Sequence, residues 1–351
     1  MATVDKMTTG QFNQQPSADT DTDVVIDPAT LMRDMLLLIA EPLGQVEEVL
    51  YHELQDDAPF VGDLLEYVAG LGGKRMRPCL VLLTAQATGE VRKEHITLAA
   101  VVEMIHTATL VHDDILDGAD TRRHKETVNT RWGNQAAVLL GDYLFTHAFF
   151  LASTVGTEAC QVIGKSTNRV CAGEMKQVGQ RGNLALTEAE YFDIIRGKTA
   201  ELCACCCELG ASYSGATPEV VAAVKQFGMQ VGTAFQIADD VLDLQGDPSQ
   251  TGKSLGTDLV NQKMTLPAIH ALAKLEQPAR DELLAQLASG PTADAIQTLR
   301  DAIDRFESVA YAKGIATGLI DEAVCSLDGL PDSPAKQSLV AMARFVLTRS
   351  S

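Results

Sequence analysis

The chain has 351 residues, 46% of them hydrophobic and 21% charged, and 28 Lys and Arg against 47 Asp and Glu give a formal net charge of −19. This composition supplies a large globular core, and its acidity argues against general binding to nucleic acids or anionic membranes, which needs clustered Lys and Arg. Any phosphate this chain holds must meet a local basic pocket.

Residues 1–28 carry five Asp and one Lys among Gln, Ser and Thr. They read as a disordered, solvated tail, unlike a secretory signal or an Arg-rich transit peptide. Beyond them helical periodicity dominates and β-branched runs bounded by turn residues are scarce, which predicts an all-α chain. Breaks are expected at Gly70 to Gly73 with Pro78 beyond, at Gly89, Gly118, Gly215 to Pro218, Gly246 to Pro248, Gly290-Pro291, and Pro331 to Pro334. The intervening segments suit a helical bundle. Length alone leaves one core or two open, and no Gly/Ser-rich or Pro-rich linker divides the middle. No apolar run approaches the ~20 residues that cross a bilayer, so no transmembrane segment is expected. Four of the eight cysteines, Cys203, Cys205, Cys206 and Cys207, fall in one stretch without paired His ligands. They read as reduced thiols packed as small apolar residues in a cytoplasmic protein.

The motifs that carry chemistry begin at Gly72-Gly73-Lys74-Arg75-Met76-Arg77-Pro78, where three cations precede a helix and glycines allow close backbone approach to an anion. Next comes Asp113-Asp114-Ile115-Leu116-Asp117, and later Asp239-Asp240-Val241-Leu242-Asp243, each closing an apolar helical run. The first and last Asp of each are four apart, hence on one helix face about 6 Å apart along the axis. Like charges there destabilise a bare helix, and its negative C-terminal dipole adds to the cost. Hard cations between the carboxylates explain the arrangement, and oxygen-only ligands point to Mg²⁺. Two such clusters would clamp several ions around one diphosphate and make it a better leaving group. Arg122, Arg123, Lys198 with Thr199, Lys253 and Lys263 are concentrated around these motifs in a chain short of positive charge, as two anion pockets require.

The ordered set from Leu31 onward resembles the trans-isoprenyl diphosphate synthases, or polyprenyl synthetases: Gly-Gly-Lys-Arg-x-Arg-Pro at 72–78, both Asp-rich motifs, Arg122-Arg123, Gly141-Asp142-Tyr143-Leu144, Lys198-Thr199, Phe235-Gln236 and Lys253. The resemblance implies an all-α bundle around a deep apolar cavity, one domain over residues 29–351, a homodimer, and head-to-tail (1′-4) prenyl transfer. By resemblance, Mg²⁺ ions, three with substrate bound, sit on Asp113, Asp117 and Asp239, supported by Asp114, Asp240 and Asp243. The allylic diphosphate would meet Arg122, Lys198 and Lys263 with Lys253 nearby. Isopentenyl diphosphate would meet Lys74, Arg77, Arg123 and His106, and Thr199 and Gln236 would stabilise the allylic cation. One stretch departs from the family: Asp258-Leu259-Val260-Asn261-Gln262-Lys263 stands where many members have Asp-Leu-x-Glu-Gly-Lys.

One and two turns before Asp113, the side chains Thr109, Ala108, Ile105 and Met104 are small or apolar but not aromatic. In the resembling family this predicts a passage for long products, hexaprenyl or above. The competing readings are a shorter-chain farnesyl or geranylgeranyl diphosphate synthase, a class I terpene cyclase, and a non-catalytic synthase subunit. The second Asp-rich motif disfavours the cyclase, and six retained aspartates disfavour the subunit.

Overall fold

The computed structural model describes residues 37–245, 263–290 and 292–348. The expected tail at 1–28 and Lys253 lie outside the described residues. Three helices, α1 (Ala40–Glu53), α2 (Pro59–Ala69) and α3 (Met76–Thr88), lead into α4 (Lys93–Leu116). A hairpin of β1 (Thr121–Arg122) and β2 (Lys125–Glu126) and the short α5 (Val128–Trp132) connect to α6 (Asn134–Val155) and α7 (Thr157–Gly179). The capping box of Thr187 and Glu190 opens α8 (Glu188–Ile195), which continues through a π-turn, Arg196–Ala200, into α9 (Glu201–Ser214). Gly215, at φ 85°, ends that helix, and Pro218 starts α10 (Pro218–Gln245). The remainder is α11 (Leu266–Lys274), α12 (Gln277–Ala288), α13 (Ala293–Arg305), α14 (Ser308–Ser326) and α15 (Pro334–Thr348).

The expected helical class is found. The two-residue hairpin escapes periodicity because its strands are too short to alternate, and its turn is built from Arg123 and His124 at φ 51° and 62°. Buried residues form one continuous cluster in which α4 is central, with 13 of its 24 residues buried. Its apolar positions run around the helix, as a core helix requires.

The cysteine-rich helix α9 is buried between α3 and α10. A Cβ on Gly210 would come within 2.6 Å of the Val81 carbonyl oxygen, and one on Gly228 within 2.6 Å of the Cys203 carbonyl oxygen. Helix backbones this close leave room only for small side chains, which accounts for the run of cysteines. Burial pushes the thiols of Cys205 and Cys207 up to about 12, and all eight cysteines are free.

The sequence expectation about membranes needs one correction. Helix α6, 22 residues, is long and apolar enough to cross a bilayer by length and composition, with 44% of its most apolar window buried. One of its faces packs on α4, and Val138, Leu139 and Phe150 on it are exposed.

Candidate active site

The three aspartates that close α4 have separate partners. Arg122 forks Asp114 through Nε at 2.8 Å and Nη2 at 2.7 Å, and Asp114 is only 3% exposed. Arg181 donates from Nη2 to Asp117 at 2.7 Å and from Nη1 to the Leu116 carbonyl at 3.0 Å, satisfying an orphan acceptor at the helix end. Lys263 Nζ stands 3.2 Å from the same Asp117 oxygen. Lys198 Nζ lies 3.7 Å from Asp113 and 2.5 Å from Glu174. Burial pushes the Asp113 carboxyl up to about 6; Lys198 and Arg122 oppose that shift and Glu174 and Asp117 add to it. Burial works against the Lys198 ammonium, but Asp113 and Glu174 outweigh it and hold it above the ordinary lysine range.

The second motif meets the first through the π-turn. Thr199 Oγ1 donates to Gln236 Oε1 at 2.8 Å, Gln236 Nε2 donates to Asp240 at 2.8 Å, and the Tyr191 hydroxyl donates to the other Asp240 oxygen at 2.6 Å. Asp240 is 7% exposed, so the second Asp of each motif is turned inward onto protein donors. Asp239 and Asp243 are half-buried, and Asp239 makes no hydrogen bond or ion pair among the described residues. The π-turn sits where α7 approaches it most closely: a Cβ on Gly173 would overlap the backbone nitrogen of Lys198, and one on Gly197 would lie 3.1 Å from the Gly173 Cα. Two glycines therefore let the backbones touch and bring Lys198 against Asp113.

A separate basic cleft is lined by Gly72, Arg75, Glu103, His106, Arg122 and Arg123. Arg75, at φ 49°, donates to both Glu47 carboxylate oxygens at 2.6 and 3.0 Å and to Glu103 at 2.9 Å, tying the loop to α1 and α4. Arg123 reaches from the hairpin turn to the Gly72 carbonyl. Burial, with Arg77, Arg123, Arg122 and Arg75 around it, holds His106 well below the ordinary histidine range. It is a neutral imidazole at pH 7, able to hydrogen-bond an anion without adding charge. Lys74 is exposed, and the buried Arg77 Nε has no hydrogen-bond partner. The structure thus gathers His106 and Arg123 at one cleft together with Arg122, while Lys74 and Arg77 do not line it.

Among the described residues no three His, Cys, Asp or Glu form a ready-made ion cage. Asp113, Asp114 and Asp117 instead hold cations of the protein. Asp113, Asp117 and Asp239 nevertheless fit Mg²⁺: they are hard oxygen donors, and Asp113 is held beside two other carboxylates at a cost that a cation would relieve. Ala108, Met104 and Ile105 are fully or almost fully buried within the core, and Thr109 is half-buried, bonded to the His106 carbonyl at 2.7 Å.

Glu174, Arg181, Tyr191, Glu103 and Glu47 were not singled out in the sequence, because each arrives from a different helix or loop and none belongs to a local motif. His112 and His147, isolated in sequence, have partners in space: Val138 O at 3.2 Å and Glu53 at 2.8 Å. Trp132 packs edge-on against Tyr67 and also takes Arg131 over its ring at 4.6 Å, so the cation contact is present as well as the packing. A larger groove of about 530 Å³, behind the π-turn, includes none of the motif aspartates.

A sequence profile of the family described as Polyprenyl synthetase matches residues 58–304. The octaprenyl diphosphate synthase of Escherichia coli (strain K12) is 33% identical over 313 residues, covering 89% of this chain and 97% of that protein. The short chain isoprenyl diphosphate synthase of Methanothermobacter thermautotrophicus is 36% identical over 292 residues, covering 81% and 89%. A crystal structure of polyprenyl synthase from Caulobacter crescentus CB15, complexed with calcium and isoprenyl diphosphate, superposes with a TM-score of 0.86 at 31% identity, covering 91% of this chain and 98% of that one. With the profile match spanning most of the chain and these relatives covering 81 to 91% of it, the chain belongs to the polyprenyl synthetase family of prenyltransferases.

Proposed function

We propose that the protein condenses isopentenyl diphosphate head to tail (1′-4) with an allylic diphosphate, using Mg²⁺, to make an all-trans polyprenyl diphosphate of six or more units. The observation that carries the reading is the meeting of both Asp-rich motifs at the π-turn, where Lys198 contacts Asp113 and Thr199 contacts the Gln236–Asp240 pair. Bound Mg²⁺ supplies Lewis-acid neutralisation of the leaving diphosphate. Lys198, Lys263 and Arg181 add fixed positive charge on the protein side of the same carboxylates. The allylic C–O bond breaks, and the oxygens of Thr199 and Gln236 stabilise the allylic cation. The isopentenyl double bond, held by its diphosphate at the cleft of Arg123 and His106, attacks that carbon. Loss of a proton to the released pyrophosphate completes the step without a side-chain nucleophile or base.

The long product rests on Ala108, Thr109, Ile105 and Met104, none of which places an aromatic ring in the path behind Asp113. The relatives carry both long-chain and short-chain names at similar identity, so overall similarity does not decide chain length. A homodimer is supported by α6, whose Leu139 and Phe150 are 68% and 61% exposed and would be covered by a second copy. The free, buried thiols suit a cytoplasmic enzyme.

The test is purified protein with Mg²⁺, labelled isopentenyl diphosphate and a short allylic primer, with products sized by chromatography. Condensation abolished by Asp113→Ala and Asp239→Ala is the expected result; near-normal turnover in either variant overturns the two-cluster reading. Light scattering of wild type and Leu139→Glu reads the dimer, which the substitution should dissociate.

A further inference from the structure

Threonines inside the helices of this protein have a common habit. Thr107, Thr146, Thr167 and Thr233 each donate their hydroxyl to the carbonyl four residues back, at 2.7 to 2.9 Å. That bond is the usual outlet for a helical threonine. Thr199 departs from it, and its hydroxyl crosses to Gln236 Oε1 on α10 at 2.8 Å.

The direction of that bond is dictated from further inside. A carboxylate only accepts, so Asp240 turns the Gln236 amide with its NH₂ inward and its carbonyl outward, and the carbonyl in turn obliges Thr199 to donate. Tyr191, itself 3% exposed, supplies the remaining anchor by donating to the second Asp240 oxygen at 2.6 Å. The resulting order is Tyr191 to Asp240, Gln236 to Asp240, and Thr199 to Gln236. Once the single Thr199 proton is committed, only lone pairs remain on Oγ1 for any other neighbour.

Resting on the prenyl-transfer reading above, we infer that Tyr191 is a positioning residue: through Asp240 and Gln236 it holds the Thr199 proton away from the reacting carbon. A hydroxyl free to rotate would at times present its proton, the wrong end of its dipole, to a developing cation. A locked one presents oxygen lone pairs at every turnover, which is preorganisation of the kind that lowers a barrier without changing ground-state binding. Tyr191 touches neither substrate nor the outward-facing aspartates in this account; it acts only through the chain of bonds.

The experiment is steady-state kinetics of wild type, Tyr191→Phe, Thr199→Ala and the double variant, with thermal melting of each. Tyr191→Phe is expected to lower kcat about tenfold, the size of one hydrogen bond, while leaving KM for both diphosphates within about twofold. In the Thr199→Ala background the same change should alter kcat by less than about twofold, because the route through Thr199 is already gone. Unchanged kcat in Tyr191→Phe, a KM effect alone, or independent losses in the double variant would each overturn the inference, since a purely structural role has no reason to vanish with Thr199. If Tyr191→Phe fails to fold, Tyr191→Met, which also lacks the hydroxyl, carries the same cycle: the same loss of kcat, absent from the Thr199→Ala background, supports the inference, and wild-type kcat or additive losses overturn it. A wild-type protein without condensation activity would instead fail the prenyl-transfer reading itself, so the two failures are distinguishable.

Discussion

Arg122 holds Asp114 with two nitrogens, at 2.8 and 2.7 Å, across the turn that ends α4, and so binds the hairpin to that helix. Asp114 is buried, and removing its partner strands a charge. Arg122→Gln is expected to cost ~3 kcal/mol in urea unfolding, and adding Asp114→Asn should recover much of the loss because the charge goes with it. An effect below 0.5 kcal/mol in the single variant, the scale of an exposed pair, would show that the fork does not bear on stability.

The raised Asp113 carboxyl makes a prediction with a definite sign. In the folded protein it titrates near 6, against 3.8 ordinarily. The folded state therefore keeps a proton that the unfolded state releases, and stability falls as pH rises from about 4 through 6. Asp113→Asn removes the penalty. In metal-free protein the variant should melt higher than wild type at pH 7.5, with the gap closing by pH 4. Equal melting temperatures at both pH values would contradict the burial of an unfavourable charge.

For product length, the residue to change is Ala108, fully buried on α4 about one turn behind Asp113. Ala108→Phe should shorten the product distribution while condensation continues, at an overpacking cost of ~1–3 kcal/mol. Chromatography of the products reads the first effect and thermal melting the second. An unchanged distribution in a folded variant would mean the tail does not pass Ala108.

Thiol labelling should separate two populations. Cys171 and Cys325 are exposed and should label in the native protein. Cys79, Cys205 and Cys207, pushed up to about 12 by burial, should label only after denaturation. Rapid labelling of those buried thiols in native protein would indicate that the core around α9 opens readily.

The aspartates were legible because their chemistry is local: a spacing of four on a helix places carboxylates on one face whatever else the chain does. The division of labour within each motif was not. Asp114 and Asp240 turn inward because Arg122, Gln236 and Tyr191 wait there: the hairpin brings Arg122 back and Gln236 sits one helical turn before Asp240, but Tyr191 comes from another helix and reaches Asp240 only through packing. Periodicity likewise found the helices but not the Arg123-His124 turn, whose positive φ values belong to side chains that rarely adopt them. Glu174 and Arg181 gave no signal at all, since a single charge on a helix face or in the turn that follows looks the same whether it meets water or an active site.

The π-turn at Arg196–Ala200 makes the count of residues there matter as much as their identity. A turn with one residue beyond the α-helical number offsets the helix before it from the helix after it by about 100°. Losing Arg196 alone would leave two sound helices and every site side chain intact. Yet Tyr191 and Thr199 would then point to different sides of the rod, and Lys198 away from Asp113. Inheritance can therefore exchange exposed Arg196 far more freely than it can add or delete a residue here.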